Sequence, residues 1–78
     1  MFFIKNLLVF FGGKSPERDI SVITGLLTLN SIDKQLFNPI PIYVDGNGIF
    51  YTGDALKKID FYKQFNKKMV YNVNFSFG

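Results

Sequence analysis

Cysteine, histidine and tryptophan are absent from the 78 residues, and glutamate occurs once, as Glu17. Without cysteine there is no disulfide scaffold and no thiol nucleophile. Without histidine there is no imidazole base and no His-based triad, and a zinc finger lacks its usual ligands. Long apolar runs are missing too. The opening stretch Leu7-Leu8-Val9-Phe10-Phe11 is preceded by Lys5 and Asn6, whereas a membrane helix needs ~20 apolar residues and a secretory signal needs a longer apolar core and a small-residue cleavage site. The expectation is a chain with no membrane association, working in the cytoplasm.

What is present is globular. Apolar residues make up 47% and charged residues 19%, with ten Phe and four Tyr, and nine Lys/Arg against six Asp/Glu give a net charge of +3. That is too hydrophobic for disorder. A single domain of this size has a stability on the order of 4–12 kcal/mol. Gly12-Gly13, Asn38-Pro39, Pro41 and Asp45-Gly46-Asn47-Gly48 divide the chain into blocks.

Residues 2–11 form a near-continuous apolar run, the pattern of a strand covered on both faces. Gly12-Gly13 then lets the backbone turn sharply. A helix start follows. Ser15 suits the N-cap, Pro16 the first helical position, and Glu17 and Asp19 lie near the positive end of the helix dipole. Ile20, Ile23, Leu26 and Leu27 recur at helical spacing, with Leu29 and Ile32 widening the stripe. Residues 39–44 read as a strand that begins late, near Ile40, or lies at a sheet edge, because two prolines remove ladder donors. Asp45-Gly46-Asn47-Gly48 and Ile49-Phe50-Tyr51 complete a hairpin. Asp54 is an N-cap for a helix over 55–65 carrying Leu56, Ile59 and Tyr62 or Phe61, and residues 69–77 alternate as a half-exposed strand. The expected fold is α/β, a small Rossmann-like layer in the order β-α-β-β-α-β with a partly parallel sheet, part of a three-layer unit.

The chemistry-bearing segment is the junction of the first strand and helix, where α/β proteins bind ligands. Three readings compete for it. As a phosphate loop, Gly13-Lys14-Ser15 matches the end of G-x-x-x-x-G-K-[ST], but Leu8 stands where the first glycine belongs. The dinucleotide pattern fails as well, at Lys14 and Glu17. As plain structure, Gly-Gly turns the chain and Ser-Pro-Glu starts a helix, which leaves the position of the sole glutamate unexplained. As a substrate site, a carboxylate at a helix start stays ionised and can hold an ammonium group, a contact worth about 1.5–3 kcal/mol.

The run from Leu8 to Ser21 resembles the opening of the D-alanine–D-alanine ligases, a strand followed by Gly-Gly-x-Ser-x-Glu-(Arg/His)-x-(Val/Ile)-Ser. Pro39-Ile40-Pro41-Ile42-Tyr43-Val44, Asp45-Gly46 and Ile49-Phe50-Tyr51 are similar to that family's second strand and hairpin, so that the likeness covers residues 4 to about 53. The resemblance implies the N-terminal substrate-binding domain of an ATP-grasp ligase, over residues 1–78, acting in peptidoglycan precursor synthesis in a bacterium. In such a ligase ATP activates the first D-alanine as an acyl phosphate, which the amine of the second attacks. The motif glutamate that meets the first D-alanine's ammonium maps onto Glu17, the apolar pocket residue onto Ile20, and the loop that shapes the site onto Gly13 and Ser15. No proton-transfer role is implied for any of them; they position substrate. The implied partners are D-alanine and the remaining ligase domains. ATP and Mg²⁺ belong to those domains and not to this chain, and alone the chain is a catalytically incomplete fragment.

Other features read more plainly. Lys57, Lys58, Lys63, Lys67 and Lys68 stand near Phe61, Tyr62 and Phe65, which offers an alternative function as a basic, aromatic-rich module for nucleic acid or a protein partner. A solvated face over core aromatics accounts for the same residues, and no RNP or KH pattern is present, so nucleic acid is not the expected partner. Asp45, Asn47 and Asp54 lack the terminal glutamate of a calcium loop. Tyr71, Phe75 and Phe77 would leave apolar surface for the missing domains to cover, or for a second copy to pair with in a homodimer.

Overall fold

A computed structural model describes residues 4–13 and 18–75. Strand β1 (Lys5–Gly12) leads to helix α1 (Arg18–Ser31), strand β2 (Phe37–Val44) and the short strand β3 (Phe50–Thr52). Three 3-10 helices then occupy Asp54–Lys57, Ile59–Lys63 and Lys67–Met69, ahead of strand β4 (Tyr71–Val73). The sheet order is β1-β2-β3-β4. β1 and β2 are parallel, and the other two pairings are antiparallel. The expected α/β class and partly parallel sheet are what is found.

The register places Phe11, Tyr43 and Tyr51 side by side in one row. These rings meet Val22, Leu26 and Leu29 of α1, together with Leu56 and Val70, to form the core. Leu56 is fully buried. α1 and the 3-10 helices therefore cover the same face of the sheet, and among the described residues no helix covers the other, so only two of three expected layers are present. That explains the departure at β1. Its apolar run predicts burial on both faces, yet Leu8 is 43% and Phe10 50% exposed, because only the row carrying Phe11 has a helix above it.

Three other elements differ from expectation. The buried stripe of α1 is Val22, Leu26 and Leu29, while Ile20, Ile23 and Leu27 face outward. Gly25 is the cause: its bare Cα sits against the Phe11 ring, and a Cβ there would lie 2.6 Å from the ring. β2 begins at Phe37 and is interior to the sheet, not a late-starting edge. Its prolines are tolerated because β3 pairs only with Ile42–Val44, beyond Pro39 and Pro41. The helix over 55–65 is replaced by two 3-10 segments that meet at an extended Lys58. In one α-helix Leu56 and Phe65 would point about 180° apart. The break lets Leu56, Tyr62 and Phe65 all reach the sheet, where the Tyr62 and Phe65 rings each lie 5.3 Å from Tyr43. The strand expected over 69–77 is confined to Tyr71–Val73, and residues 76–78 lie outside the described residues.

The hairpin forms where expected. Asp45 holds it, its carboxylate accepting from the Asn47 and Ile49 amides at 2.8 and 3.0 Å. Tyr62 donates its hydroxyl to the Leu56 carbonyl at 2.6 Å, and burial, with repulsion from Tyr43 second, raises its phenol above the ordinary tyrosine range.

Two expectations follow. Gly25→Ala gains helix propensity but forces Phe11 aside, for a net loss of about 1–2 kcal/mol seen as a lower urea midpoint. The native state favours neutral Tyr62, so that its contribution is whole below pH ~10, where an unfolded tyrosine titrates, and is lost as pH rises through the higher folded value. Denaturation midpoints between pH 8 and 11 should therefore fall more steeply for the native chain than for Tyr62→Phe.

Candidate functional site

In a parallel pair both strands end on the same side, and here those ends are Gly12 and Val44. The junction is tightly built. Gly12 and Gly13 have φ of 100° and 111°, a region side chains avoid. A Cβ on Gly12 would collide with the Val44 carbonyl and lie 2.8 Å from the Tyr43 ring. Around Gly13 the same test meets only open space. The first glycine is thus demanded by packing and the second leaves the mouth clear.

Two hydrogen bonds fasten the bend. The Gly13 amide donates to the Val44 carbonyl at 2.8 Å, extending the ladder by one residue. The Gly12 amide donates to Ser21 Oγ at 3.0 Å. Ser21 adjoins the buried Val22 and Gly25 side of α1, so that one hydroxyl ties the end of β1 to the first turns of the helix. Sequence reasoning assigned Ser21 no task. The available signal was a small hydroxyl residue beside an apolar stripe, one place where α1 can reach the strand end.

Of the four predicted site residues, Gly13 lies at this mouth. Ile20 is in the first turn of α1 and is 66% exposed. Ser15 and Glu17 lie outside the described residues, as do Lys14 and Pro16, so the expected N-cap and carboxylate contact carry no geometry here. The chain between Gly13 and Arg18 must nevertheless cross above the ends of β1 and β2, since both its anchors are there.

Concavities in the described part lie elsewhere. One of about 370 Å³, lined by Asn6, Lys34, Asn38 and Lys57, sits at the opposite ends of β1 and β2. Another of about 600 Å³ is lined by residues such as Asp54, Lys58, Phe61 and Tyr71. Both are open and lack convergent buried polar groups, and we favour the Gly12-Gly13 mouth, whose further walls belong to residues 14–17. Among the described residues no group of three or more acidic side chains could hold a metal ion. The residues here thus do not fit Mg²⁺, and no step is routed through it or through ATP. No helix among them is long and apolar enough to cross a membrane. The lysine-rich segment is no stacking platform: Lys57 and Lys63 pair with Asp54 and Asp60 at 3.3 and 3.4 Å, while Phe61, Tyr62 and Phe65 pack against the core.

Comparisons with known proteins point the same way. The family described as D-ala D-ala ligase N-terminus matches residues 6–74. The D-alanine–D-alanine ligase of Thermosipho melanesiensis is 44% identical over 62 residues, covering 80% of this chain and 17% of that protein. The corresponding ligase of Geobacillus kaustophilus is 42% identical over 48 residues, covering 62% of this chain and 13% of its own length. Among solved structures, the VanG D-Ala:D-Ser ligase from Enterococcus faecalis superposes with a TM-score of 0.77 at 23% identity, over 95% of this chain and 22% of that one. The D-alanine–D-alanine ligase of Helicobacter pylori gives 0.73 at 19% identity, over the same shares. At that identity the structures speak for the fold alone. The chain spans under a fifth of the curated relatives' length.

The bend generates its own test. Ser21→Ala leaves the half-buried Gly12 amide without its acceptor, for an expected loss of about 1–3 kcal/mol. Thermal denaturation should show it, with faster hydrogen exchange at Gly12 than at the neighbouring amides of β1.

Proposed function

Because the chain belongs to the D-alanine–D-alanine ligase N-terminal family, we propose that it forms the substrate-side domain of an ATP-dependent ligase, over residues 1–78, and helps to bind the first D-alanine. The observation that carries this reading is the bend at Gly12-Gly13. It is held by Ser21 and Val44 at the carboxyl ends of two parallel strands, with its open side toward the segment that bears Glu17. Ligands of α/β folds collect at such strand ends. A zwitterion brings an ammonium group for an acid at a helix start, and Glu17 is the only glutamate of the chain.

In this reading Glu17 grips the ammonium of the first D-alanine, Ile20 supplies an apolar wall, and Gly13 and Ser15 shape the loop. Each acts by positioning, which can lower a barrier by several kcal/mol without any proton transfer. ATP supplies the acyl-phosphate activation, and it is held with Mg²⁺ by central and ATP-grasp domains that are not part of this chain. The setting is peptidoglycan precursor synthesis in the cytoplasm. The alternative, a basic module for nucleic acid, is disfavoured because the aromatics beside the lysines are committed to the core.

The test is a fusion of this chain to the part of the Thermosipho melanesiensis ligase beyond its matched segment. Glu17→Gln should raise the KM for D-alanine at the first subsite by roughly 10- to 100-fold, the size of one charge-assisted contact. ATP affinity should stay unchanged. Equal D-alanine kinetics in both proteins would remove the assignment.

A further inference from the structure

The sheet has a second face. Its rows contain Leu8 beside Ile40, Phe10 beside Ile42, and Val44 beside Phe50. Phe10, Phe50 and Phe75 form a ring cluster there, with centroids 5.2 to 6.1 Å apart. Beneath it Ile42 is only 2% exposed, but Leu8, Phe10 and Tyr71 remain open. None of the paired residues in these rows is charged, whereas the lysine-bearing 3-10 helices lie on the opposite side. The outer edge of β1 is also unpaired, because β1 ends the sheet. A parallel pair with one bare face and a long free edge is unusual for a finished sheet.

Topology says what can complete it. β1 connects to β2 through α1, which lies on the core face. Crossovers between parallel strands are almost always right-handed. A parallel strand added on the other side of β1 must then carry its connecting helix over the opposite face, which is the bare one. We infer that this face and the free edge of β1 are the docking surface for the remainder of a D-alanine–D-alanine ligase polypeptide, received as a strand on β1 and an apolar helix over Leu8, Phe10 and Phe50. The choice of occupant rests on the ligase reading above and on coverage: the fold matches the VanG ligase across 95% of this chain but only 22% of that chain, which leaves most of the neighbour without a counterpart here. With strands on both sides, β1 becomes the point at which strand order reverses, and its carboxyl end, at Gly12-Gly13, becomes the crevice.

Two measurements test this. In the first, the 78-residue chain is mixed with the Thermosipho melanesiensis ligase lacking its matched segment and followed by sedimentation. A one-to-one complex is expected. Leu8→Glu and Phe10→Glu should each weaken it roughly tenfold or more, as loss of an apolar anchor does, while Lys63→Glu, on the other side, should leave it unchanged. In the second, Leu8→Cys is labelled with a maleimide, the chain having no cysteine of its own. Labelling should be roughly tenfold slower or more in the fusion than in the isolated chain, because a packed interface excludes solvent. If the truncated ligase does not stay soluble, the labelling decides. Equal labelling in fusion and isolated chain overturns the inference. So does a dimer of this chain that ignores the ligase fragment and is dissolved by Phe10→Glu. A protected Leu8→Cys with no effect of Glu17→Gln would sink the substrate assignment alone, and an exposed Leu8→Cys with that effect intact would sink the docking alone.

Discussion

The close approach of α1 to β1 governs the rest of the molecule. Gly25 removes a side chain where Phe11 needs room, and the helix settles against the strand with Val22, Leu26 and Leu29 inward. That approach brings Ser21 within hydrogen-bonding distance of the Gly12 amide. It also sets Phe11 beside Tyr43, on which Tyr62 and Phe65 are stacked. A helix held farther out by an ordinary side chain would loosen the core and the bend together.

A small domain with one covered face has little stability to spare. The chain compensates on the covered side with rings. Tyr43, Tyr51, Phe61, Tyr62 and Phe65 form a connected edge-to-face group, and such pairs contribute beyond their buried area. On the bare side the same residue type does a different job. Phe10, Phe50 and Phe75 shield Ile42 but leave an uncharged surface that suits packing more than solvent.

The site shows how architecture can prepare binding before any ligand-touching side chain is considered. Parallel strands deliver two ends to one place, a glycine pair turns the chain there, and backbone amides are already satisfied by Ser21 and Val44. A loop anchored in this way loses less freedom when it closes on a substrate, and such preorganisation favours binding.

By itself the sequence determined the elements with strong local signals. The apolar run of β1, the helix after Gly12-Gly13, the hairpin at Asp45-Gly46-Asn47-Gly48 and the motif around Glu17 are all legible, because turn chemistry and glycine placement act over a few residues. Tertiary structure alone decided which side of α1 is buried, since Ile20, Ile23 and Leu27 make an apolar stripe as regular as the one actually used. It likewise decided the break at Lys58, where three side chains had to reach one sheet that a continuous helix would have denied them. It left half of β1 bare, although the residues there read as buried. The physical reason is common to all three: helical and strand periods say which residues can share a face, but which face meets a partner depends on what lies across from it.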